Sequence, residues 1–404
     1  MATPSAALLR HPPLVFLLSS RVLANLGSQT LAVAVGWQLY ELTGSALDLG
    51  LVGLAQFAPM VTLTLVVGQV ADRCDRRRVV AVCEAVKACG AAALALGTAG
   101  GWQSKASILG LMALVGAAQA FESPALSALT PDVVDRPLIS RAVAWVITAG
   151  QTAQVVGPAL GGALYLLGAV AAFVCATGLF VAAGALVTAV RIHAARPARE
   201  PLSMATVFSG VAFIRERPVL LGTMSLDLFA VLLGGAIALL PVYAKDILHT
   251  GPAGLGLLRS SPAAGALIVS AYLARRPPER RIGPALFRSV IAFGVATVVF
   301  GVSTSFPLSL LALAVAGGAD VVSMVIRSSL VQIRTTPSMR GRVSAVHSLF
   351  TGTSNQLGAF ESGVVAALVG VVPSVLIGGL GTIAVAALWM VLFPELRRLR
   401  GFEE

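Results

Sequence analysis

The 404 residues are 57% hydrophobic and only 12% charged, which is about half the charged fraction of a typical soluble domain. This composition excludes a soluble globular protein and indicates a chain embedded in a membrane. The formal charge of +11 does not indicate nucleic-acid binding, because most of the basic residues lie in loops and no basic patch is interleaved with aromatic residues. The long unbroken apolar runs favour helices over a transmembrane barrel.

The chain contains apolar stretches of the length that crosses a bilayer as a helix, about 20 residues. They predict an all-α membrane protein with twelve transmembrane helices. The predicted spans are 14–40, 46–71, 78–99, 105–129, 138–167, 169–191, 218–244, 252–274, 284–303, 307–333, 342–369 and 372–394.

The longest hydrophilic segment, 192–217, follows the sixth predicted span. It predicts a cytoplasmic linker between a six-helix half at 1–191 and a second six-helix half at 218–404. Three apolar residues at helical spacing indicate a short amphipathic helix on the inner membrane surface within this linker: they are Val207, Val211 and Ile214.

Lysine and arginine residues are distributed unequally between the two sides of the predicted bundle. Of the loop residues that would lie outside, only Lys105 and Lys245 are basic, whereas the termini and the even-numbered loops are rich in arginine. Loops rich in basic residues stay in the cytoplasm. The sequence therefore predicts that both termini lie in the cytoplasm, at the inner membrane of a bacterium.

The loop after the second span reads G-Q-V-A-D-R-C-D-R-R-R over residues 68–78. It resembles the loop signature of major facilitator superfamily transporters, roughly G-x-L-A-D-R-x-G-R-R. The matching residues are Gly68, Asp72, Arg73, Arg76 and Arg77. The resemblance implies two parallel six-helix pseudo-repeats and a transport function. Asp75 stands where that family has glycine.

A second signature lies in the fifth span, where Gly157, Pro158, Gly161 and Gly162 form G-P-x-x-G-G. It is similar to the G-x-x-x-G-P-x-x-G-G pattern of proton-coupled antiporters in the superfamily, with Ala153 in place of the first glycine. The alternative is ordinary close packing of helices through small residues.

Four segments in the second half narrow the resemblance to the enterobactin-exporter branch of the superfamily, and the likeness runs from about residue 15 to 395. These segments are L-D-L-F-A-V-L-L-G-G at 226–235, A-D-V-V-S-M-V-I-R at 319–327, R-G-R-V-S-A at 340–345 and S-N-Q-L-G-A-F-E-S-G at 354–363. The resemblance implies export of a small amphipathic molecule such as a siderophore or a drug.

Polar residues inside the spans are candidates for the substrate or proton pathway, because charge at bilayer depth is costly. In the first span Arg21, Asn25 and Gln29 are spaced by four and share one face; for Arg21 the alternative is snorkelling to the inner surface. Glu122 in the fourth span and Arg259 in the eighth are further candidates. In the third span Glu84 and Lys87 are three apart, which favours a structural pair.

Four more charged residues complete the candidates. Asp227 and Glu361 are isolated acids in the seventh and eleventh spans. Asp320 and Arg327 share one face of the tenth span but lie about 10 Å apart along the axis, too far for a tight ion pair. Each of the two therefore needs a partner on another helix or on a ligand, and facing helices could offer Asp227 or Glu361. A fixed ion pair that only orders the bundle is the alternative.

These features favour a secondary active transporter, driven by protons and exporting its substrate as an antiporter. The expected partners are a small-molecule substrate, protons and membrane lipid, with the chain acting as a monomer. The alternatives are an importer of the same fold and a non-transporting membrane sensor. No cofactor, metal site or enzymatic activity is expected, because no Walker loop is present and the histidines lack metal-ligand spacing.

Overall fold

The computed structural model describes residues 12–63, 67, 70, 74–134, 139–190, 204–276, 280–336 and 339–402. Over these residues the chain is helical and contains no β-strand, which confirms the all-α class. The helices are α1 (Pro12–Thr43), α2 (Ala46–Thr62), α3 (Arg76–Ala99), α4 (Lys105–Val133), α5 (Ile139–Tyr165), α6 (Ala169–Thr188), α7 (Met204–Arg215), α8 (Pro218–Leu233), α9 (Gly251–Arg275), α10 (Ile282–Val302), α11 (Phe306–Arg334), α12 (Arg340–Val369), α13 (Val371–Leu392) and α14 (Pro394–Arg398).

Eight helices in the described part of the chain are long and apolar enough to cross a membrane. They are Arg76–Ala99, Lys105–Ser127, Ala169–Thr188, Pro218–Ile247, Gly251–Arg275, Ile282–Val302, Phe306–Arg334 and Val371–Leu392. The remaining long helices, α1, α5 and α12, carry more polar side chains. The integral membrane character agrees with the sequence, while the count of twelve spans and the repeat layout stay predictions.

The seventh predicted span is irregular in its last third. After α8 the chain forms a 3₁₀ turn at Gly235–Leu239, a three-residue α-helical segment at Leu240–Val242 and a π turn at Tyr243–Ile247. Proline removes a backbone donor and glycine weakens a helix, and the paired glycines together with Pro241 fall in this stretch. The fully buried Tyr243 donates its hydroxyl to the carbonyl of Gly301 at 3.0 Å and so anchors the irregular end.

The helices group into two compact units. The first comprises Met1–Thr43, Ala55–Pro201 and Pro252–Gly256, and the second comprises Gly44–Leu54, Leu202–Gly251 and Leu257–Glu404. In the first unit, five helices contribute to one buried apolar cluster through Leu14, Val80, Leu126, Ala142 and Val187.

The second unit contains two buried apolar clusters. One joins α8, α10, α11, α13 and α14 and includes the buried Phe287 and Ile326. The other includes the linker helix α7, whose Ile214 is 3% exposed and packs in the same cluster as Val343 of α12. On α7, Phe208 is 64% exposed. A helix is thus present where the linker pattern predicts one. Its apolar residues are not all buried, because Ile214 packs in the cluster whereas Phe208 is exposed.

The glycines of the fifth span lie where helices cross closely. A methyl group built at Gly161 would be 2.9 Å from the Cα of Thr30 on α1, and one at Gly162 would be 2.5 Å from the carbonyl oxygen of Pro252 on α9. Both obstacles are backbone atoms, which cannot rotate away. The Thr30 hydroxyl also donates to the carbonyl of Gly157 at 3.5 Å. Small residues at these positions therefore allow α1 and α9 to reach α5.

We expect Gly161→Ala to lower the free energy of unfolding by about 1–3 kcal/mol, the usual cost of overpacking. The matched control is Gly178→Ala on α6, where a methyl group meets no atom within 4 Å. That change should leave stability unchanged or raise it, since alanine favours helices by up to about 1 kcal/mol over glycine. Thermal unfolding in detergent measures both. Equal melting temperatures for the two variants would contradict the close-packing role of Gly161.

Candidate functional site

A buried charged cluster on α8 and α11 forms the candidate site of the second unit. The Arg327 guanidinium donates through Nη1 to Asp227 Oδ1 in an ion pair, and both side chains are at least nine-tenths buried. Its other nitrogen, Nη2, lies 3.8 Å from Asp320 Oδ1. The Asp320 side chain is 47% exposed. One guanidinium is therefore shared between a buried carboxylate and an accessible one.

This geometry settles the partner that the sequence left open between Asp227 and Glu361. Asp227 meets Arg327, whereas Glu361 on α12 is half-buried and accepts a hydrogen bond from Ser362 at 3.5 Å. Asp320 and Arg327 lie on one face of α11, nearly two turns apart, as their spacing of seven residues predicts. The long side chain of Arg327 spans most of this axial distance, so that its Nη2 comes within 3.8 Å of Asp320 Oδ1, a loose rather than a tight ion pair.

Two residues of α12 join the cluster and were not singled out from the sequence. The hydroxyl of Thr351 lies 3.5 Å from Asp227 Oδ2 and donates to it. His347 interacts electrostatically with both Asp227 and Arg327. Their spacing of four residues places them on one face of the helix. That spacing was visible in the sequence, but only the packing of α12 near α8 shows what the face meets.

In the first unit the structure brings Glu122 to the pair formed by Glu84 and Lys87. The Lys87 Nζ donates to Glu84 Oε1 at 2.8 Å and to Glu122 Oε2 at 2.7 Å. The same nitrogen lies 4.8 Å from the centre of the Phe180 ring. We call Glu84, Lys87 and Glu122 the lysine cluster. The sequence paired Glu84 with Lys87 correctly but treated Glu122 separately, because it could not show that α3 and α4 pack side by side.

The three candidate residues of α1, Arg21, Asn25 and Gln29, are half-buried. Arg21 interacts electrostatically with Glu122. Asn25 and Gln29 lie against α5, since methyl groups built at Gly150 and Gly157 would fall 3.6 Å from Asn25 Nδ2 and 2.6 Å from Gln29 Cβ. The predicted stripe is thus one face of α1, turned partly toward α5.

The remaining candidates lie on α9, on α5 and in the loop before α3. Arg259 is a half-buried residue of α9, next to Ser261, whose hydroxyl donates to the carbonyl of Leu310 at 2.7 Å. Pro158 lies inside α5, which continues through it. Of the loop signature, Gly68, Asp72 and Arg73 lie outside the described residues.

In the described part of that loop, Asp75 and Arg77 fix the start of α3, and we call this pair the clamp. Asp75 caps the helix by accepting from the backbone nitrogen of Arg77 at 2.9 Å. The Arg77 guanidinium donates back to Asp75 Oδ2 at 2.9 Å and also to the carbonyl of Val190, beyond the end of α6, at 2.9 Å. Arg76 is half-buried beside it. Asp75, which departs from the loop signature, therefore serves as an N-cap and orients Arg77.

Nearly the whole chain matches a protein family. The family model described as transmembrane secretion effector, within the major facilitator superfamily, matches residues 3–400. The chain belongs to this family. It is therefore a major facilitator transporter rather than an enzyme, and the resemblance carried by the loop signature is confirmed.

Characterised relatives of this transporter are similar to it along nearly the full length. The enterobactin exporter EntS of Citrobacter koseri is 26% identical over 394 residues, covering 96% of this chain and 94% of that protein. The enterobactin exporter EntS of Shigella boydii is 25% identical with the same coverage.

Solved structures show the same fold. A bacterial homologue of the lysosomal transporter Spinster aligns with a TM-score of 0.74 at 13% identity, covering 97% of each chain. A bacterial homologue of the iron transporter ferroportin aligns with a TM-score of 0.70 at 19% identity, covering 96% of this chain and 99% of that one. At these identities the likeness concerns the fold alone.

The clamp of this transporter has a defined pH dependence. The hydrogen bond from the Arg77 side chain lowers the pKa of Asp75 below its ordinary value, with the Arg77 backbone nitrogen and nearby arginine charges acting in the same direction. A carboxyl whose pKa is lower in the folded state stabilises the fold above its ordinary pKa, and this contribution disappears as pH falls through the lowered value. Because Asp75 is partly exposed, solvent screens the electrostatic share.

We expect Asp75→Ala to destabilise the transporter by about 1 kcal/mol, the usual cost of losing an N-cap. The matched variant Asp75→Asn keeps a capping side chain and removes only the charge, so it should cost less. Its deficit against the unaltered chain should be constant near neutral pH and should shrink when pH falls below the ordinary aspartate pKa. Melting temperatures across this pH series measure the effect. A deficit that grows with acidification would refute the charged clamp.

Proposed function

We propose that this transporter is a proton-driven exporter of a small amphipathic molecule, with siderophores as the substrate class. The observation that carries the proton coupling is the arginine cluster, by which we mean Asp227, Arg327 and Asp320. Two carboxylates there share one guanidinium inside the helices. Charged residues at such depth are costly and typically serve ion pathways.

The two carboxylates differ in access, and this difference assigns their roles. Asp227 is buried and bound by both Arg327 and Thr351, so it holds the guanidinium in place. Asp320 is half-exposed and lies at the long edge of ion-pair distance, so water can deliver a proton to it. Protonation of Asp320 forms an O–H bond and removes one negative charge from beside Arg327.

Loss of that charge changes what Arg327 Nη2 can bind. While Asp320 is ionised, the guanidinium is held between two acids. When Asp320 is neutral, one edge of the guanidinium is available to an anionic or hydrogen-bonding group of a substrate, because arginine presents its donors as a fork. Proton binding and substrate binding at this position thus influence each other. This is the property that an antiporter requires, and the G-P-x-x-G-G signature of α5 supports the same class.

The direction of transport and the substrate class rest on the relatives. The matching family is described as a secretion effector, and the relatives at 25–26% identity are enterobactin exporters. Export therefore ranks above import. A non-transporting sensor has no support from the family. A fixed ion pair that only orders the helices remains the competing explanation of the arginine cluster.

Both termini are proposed to lie in the cytoplasm of a bacterial inner membrane, because nearly all basic loop residues fall on one predicted side. A reporter that is active only in the cytoplasm, fused after Glu404, should be active. The same reporter inserted after Lys105, one of the two basic residues predicted to lie outside, should be silent. An active reporter at Lys105 would overturn the orientation.

The central test is Asp320→Asn, with Asp246→Asn as a chemically matched control at the exposed end of the seventh span. Asp320 is the cleaner target because it is half-exposed, whereas removing Asp227 would leave Arg327 buried without its ion pair, at a cost of about 3–5 kcal/mol. We expect Asp320→Asn to reduce pH-gradient-driven enterobactin accumulation in inverted vesicles to the level of protein-free vesicles. Asp246→Asn should transport like the unaltered chain.

Three outcomes separate the competing explanations. Retained gradient-dependent transport in Asp320→Asn, with normal folding, would remove Asp320 from proton coupling. Uptake in the opposite direction, into right-side-out vesicles, would favour the importer. Transport of drug-like compounds but not of enterobactin by the unaltered chain would overturn the siderophore assignment while leaving the exporter proposal intact.

A further inference from the structure

The lysine cluster carries one unit of negative charge when its three side chains are ionised, since two carboxylates face one ammonium. The exposed fractions of these side chains are 1% for Glu84, 2% for Lys87 and 10% for Glu122. Lys87 lies near the midpoint of α3, about 17 Å from either end, so its side chain does not reach water at a helix end. An uncompensated charge in such a place is expensive.

The hydrogen bonds of the cluster contain one gap. The Lys87 ammonium is well satisfied, with Glu84 and Glu122 as acceptors and the face of Phe180 beneath it. Glu84 Oε2, in contrast, is buried and has no hydrogen-bond partner among the described residues. An ionised carboxylate accepts hydrogen bonds at both oxygens, so a bare oxygen here is unfavourable. A protonated carboxyl turns the same oxygen into a donor.

The Glu122 carboxylate, the other acid of the cluster, can accept from that donor. Glu84 Oε1 and Glu122 Oε2 bind the same nitrogen, so these two oxygens are no farther apart than the sum of the two ion-pair distances. The two groups also interact electrostatically with each other. Two carboxylates at this separation do not both ionise readily, and one proton between them relieves the repulsion.

The surrounding groups do not supply the missing charge by an ion pair. The titratable groups that act on the cluster from the packed helices are Arg21 of α1 and the Cys83 thiol of α3, and α6 contributes the uncharged ring of Phe180. Arg21 interacts with Glu122 but forms no ion pair with a described residue. The bare oxygen of the pair is Glu84 Oε2, which makes Glu84 the carboxyl that donates.

We propose that the lysine cluster is a proton-binding site, in which Glu84 and Glu122 share one exchangeable proton above Lys87. Proton uptake from water forms an O–H bond on the carboxyl pair and brings the charge of the cluster from −1 to zero, and release reverses both changes. The proton belongs to the pair, as in other strongly coupled carboxyl groups. The site lies in the first unit and is separate from the arginine cluster of the second.

This inference goes beyond proton-driven export and does not depend on it, because it concerns equilibrium proton binding and requires no substrate. Infrared spectroscopy of the purified full chain in lipid provides the test, since the carbonyl stretch of a protonated carboxyl is separate from that of a carboxylate. We expect such a band at neutral pH, shifted by transfer into D₂O. Glu84→Gln and Glu122→Gln should each lose it, because one remaining carboxylate and Lys87 form a neutral pair.

A third variant keeps the proposal testable if a glutamine variant fails to fold. Lys87→Met removes the ammonium, so both carboxyls should be protonated and the band should gain about one further carboxyl. Glu395→Gln, on the exposed end of α14, is the matched control and should leave the band unchanged. A fixed and fully ionised ion pair predicts instead that neither glutamine variant removes any carboxyl band.

The infrared spectra of these variants either support or overturn the shared proton. Loss of one band in both glutamine variants together with a gain in Lys87→Met supports the shared proton. An unchanged band in either glutamine variant overturns it, as does an unchanged spectrum in Lys87→Met. A band that does not respond to D₂O overturns the exchange. None of these results bears on Asp320, so failure here is distinguishable from failure of the exporter proposal.

Discussion

The structure depends on one electrostatic constraint, which is the cost of placing a cation and its counter-charges inside apolar helices. Each unit meets this constraint with one base between two acids: Lys87 in the first unit and Arg327 in the second. Breaking such a pair costs several kcal/mol because the remaining charge is stranded. The helices that carry these residues must therefore keep their register, and the buried apolar clusters around them supply the packing that holds it.

The close helix crossings serve the same constraint. Gly161 lets the backbone of α1 approach α5 at Thr30, and α1 also carries Arg21, whose charge acts on Glu122. A bulkier residue at Gly161 would push α1 outward and weaken that interaction. Packing by small residues and antiporter function are therefore compatible explanations of the G-P-x-x-G-G signature, because the small residues set how closely α1, which carries Arg21, packs against α5.

Much of the fold could be predicted from the sequence, because apolar length and basic loops follow from bilayer thickness and charge. The pairing of Glu84 with Lys87 and the shared face of Asp320 and Arg327 followed from helix geometry alone. Contacts between helices could not be predicted, because periodicity gives the face of a helix but not its neighbour. Glu122 beside Lys87 and His347 near Asp227 are of this kind. Asp75 was noted only as a departure from the loop signature, although aspartate just before a helix is an N-cap signal.

The two clusters solve the same charge problem differently, and exposure decides how. In the arginine cluster the surplus negative charge sits on Asp320, whose side chain is 47% exposed, and under the proposed mechanism this acid binds a proton when a substrate competes for Arg327. In the lysine cluster the excess negative charge lies on side chains that are at most 10% exposed. Little solvent reaches these side chains, so the proposed proton is what would neutralise the cluster. A carboxyl that water reaches is suited to exchanging protons rapidly, and one that water does not reach is suited to retaining them. Asp320, the more exposed acid, therefore fits a role in the transport cycle itself, and the enclosed pair fits a proton that exchanges more slowly with water.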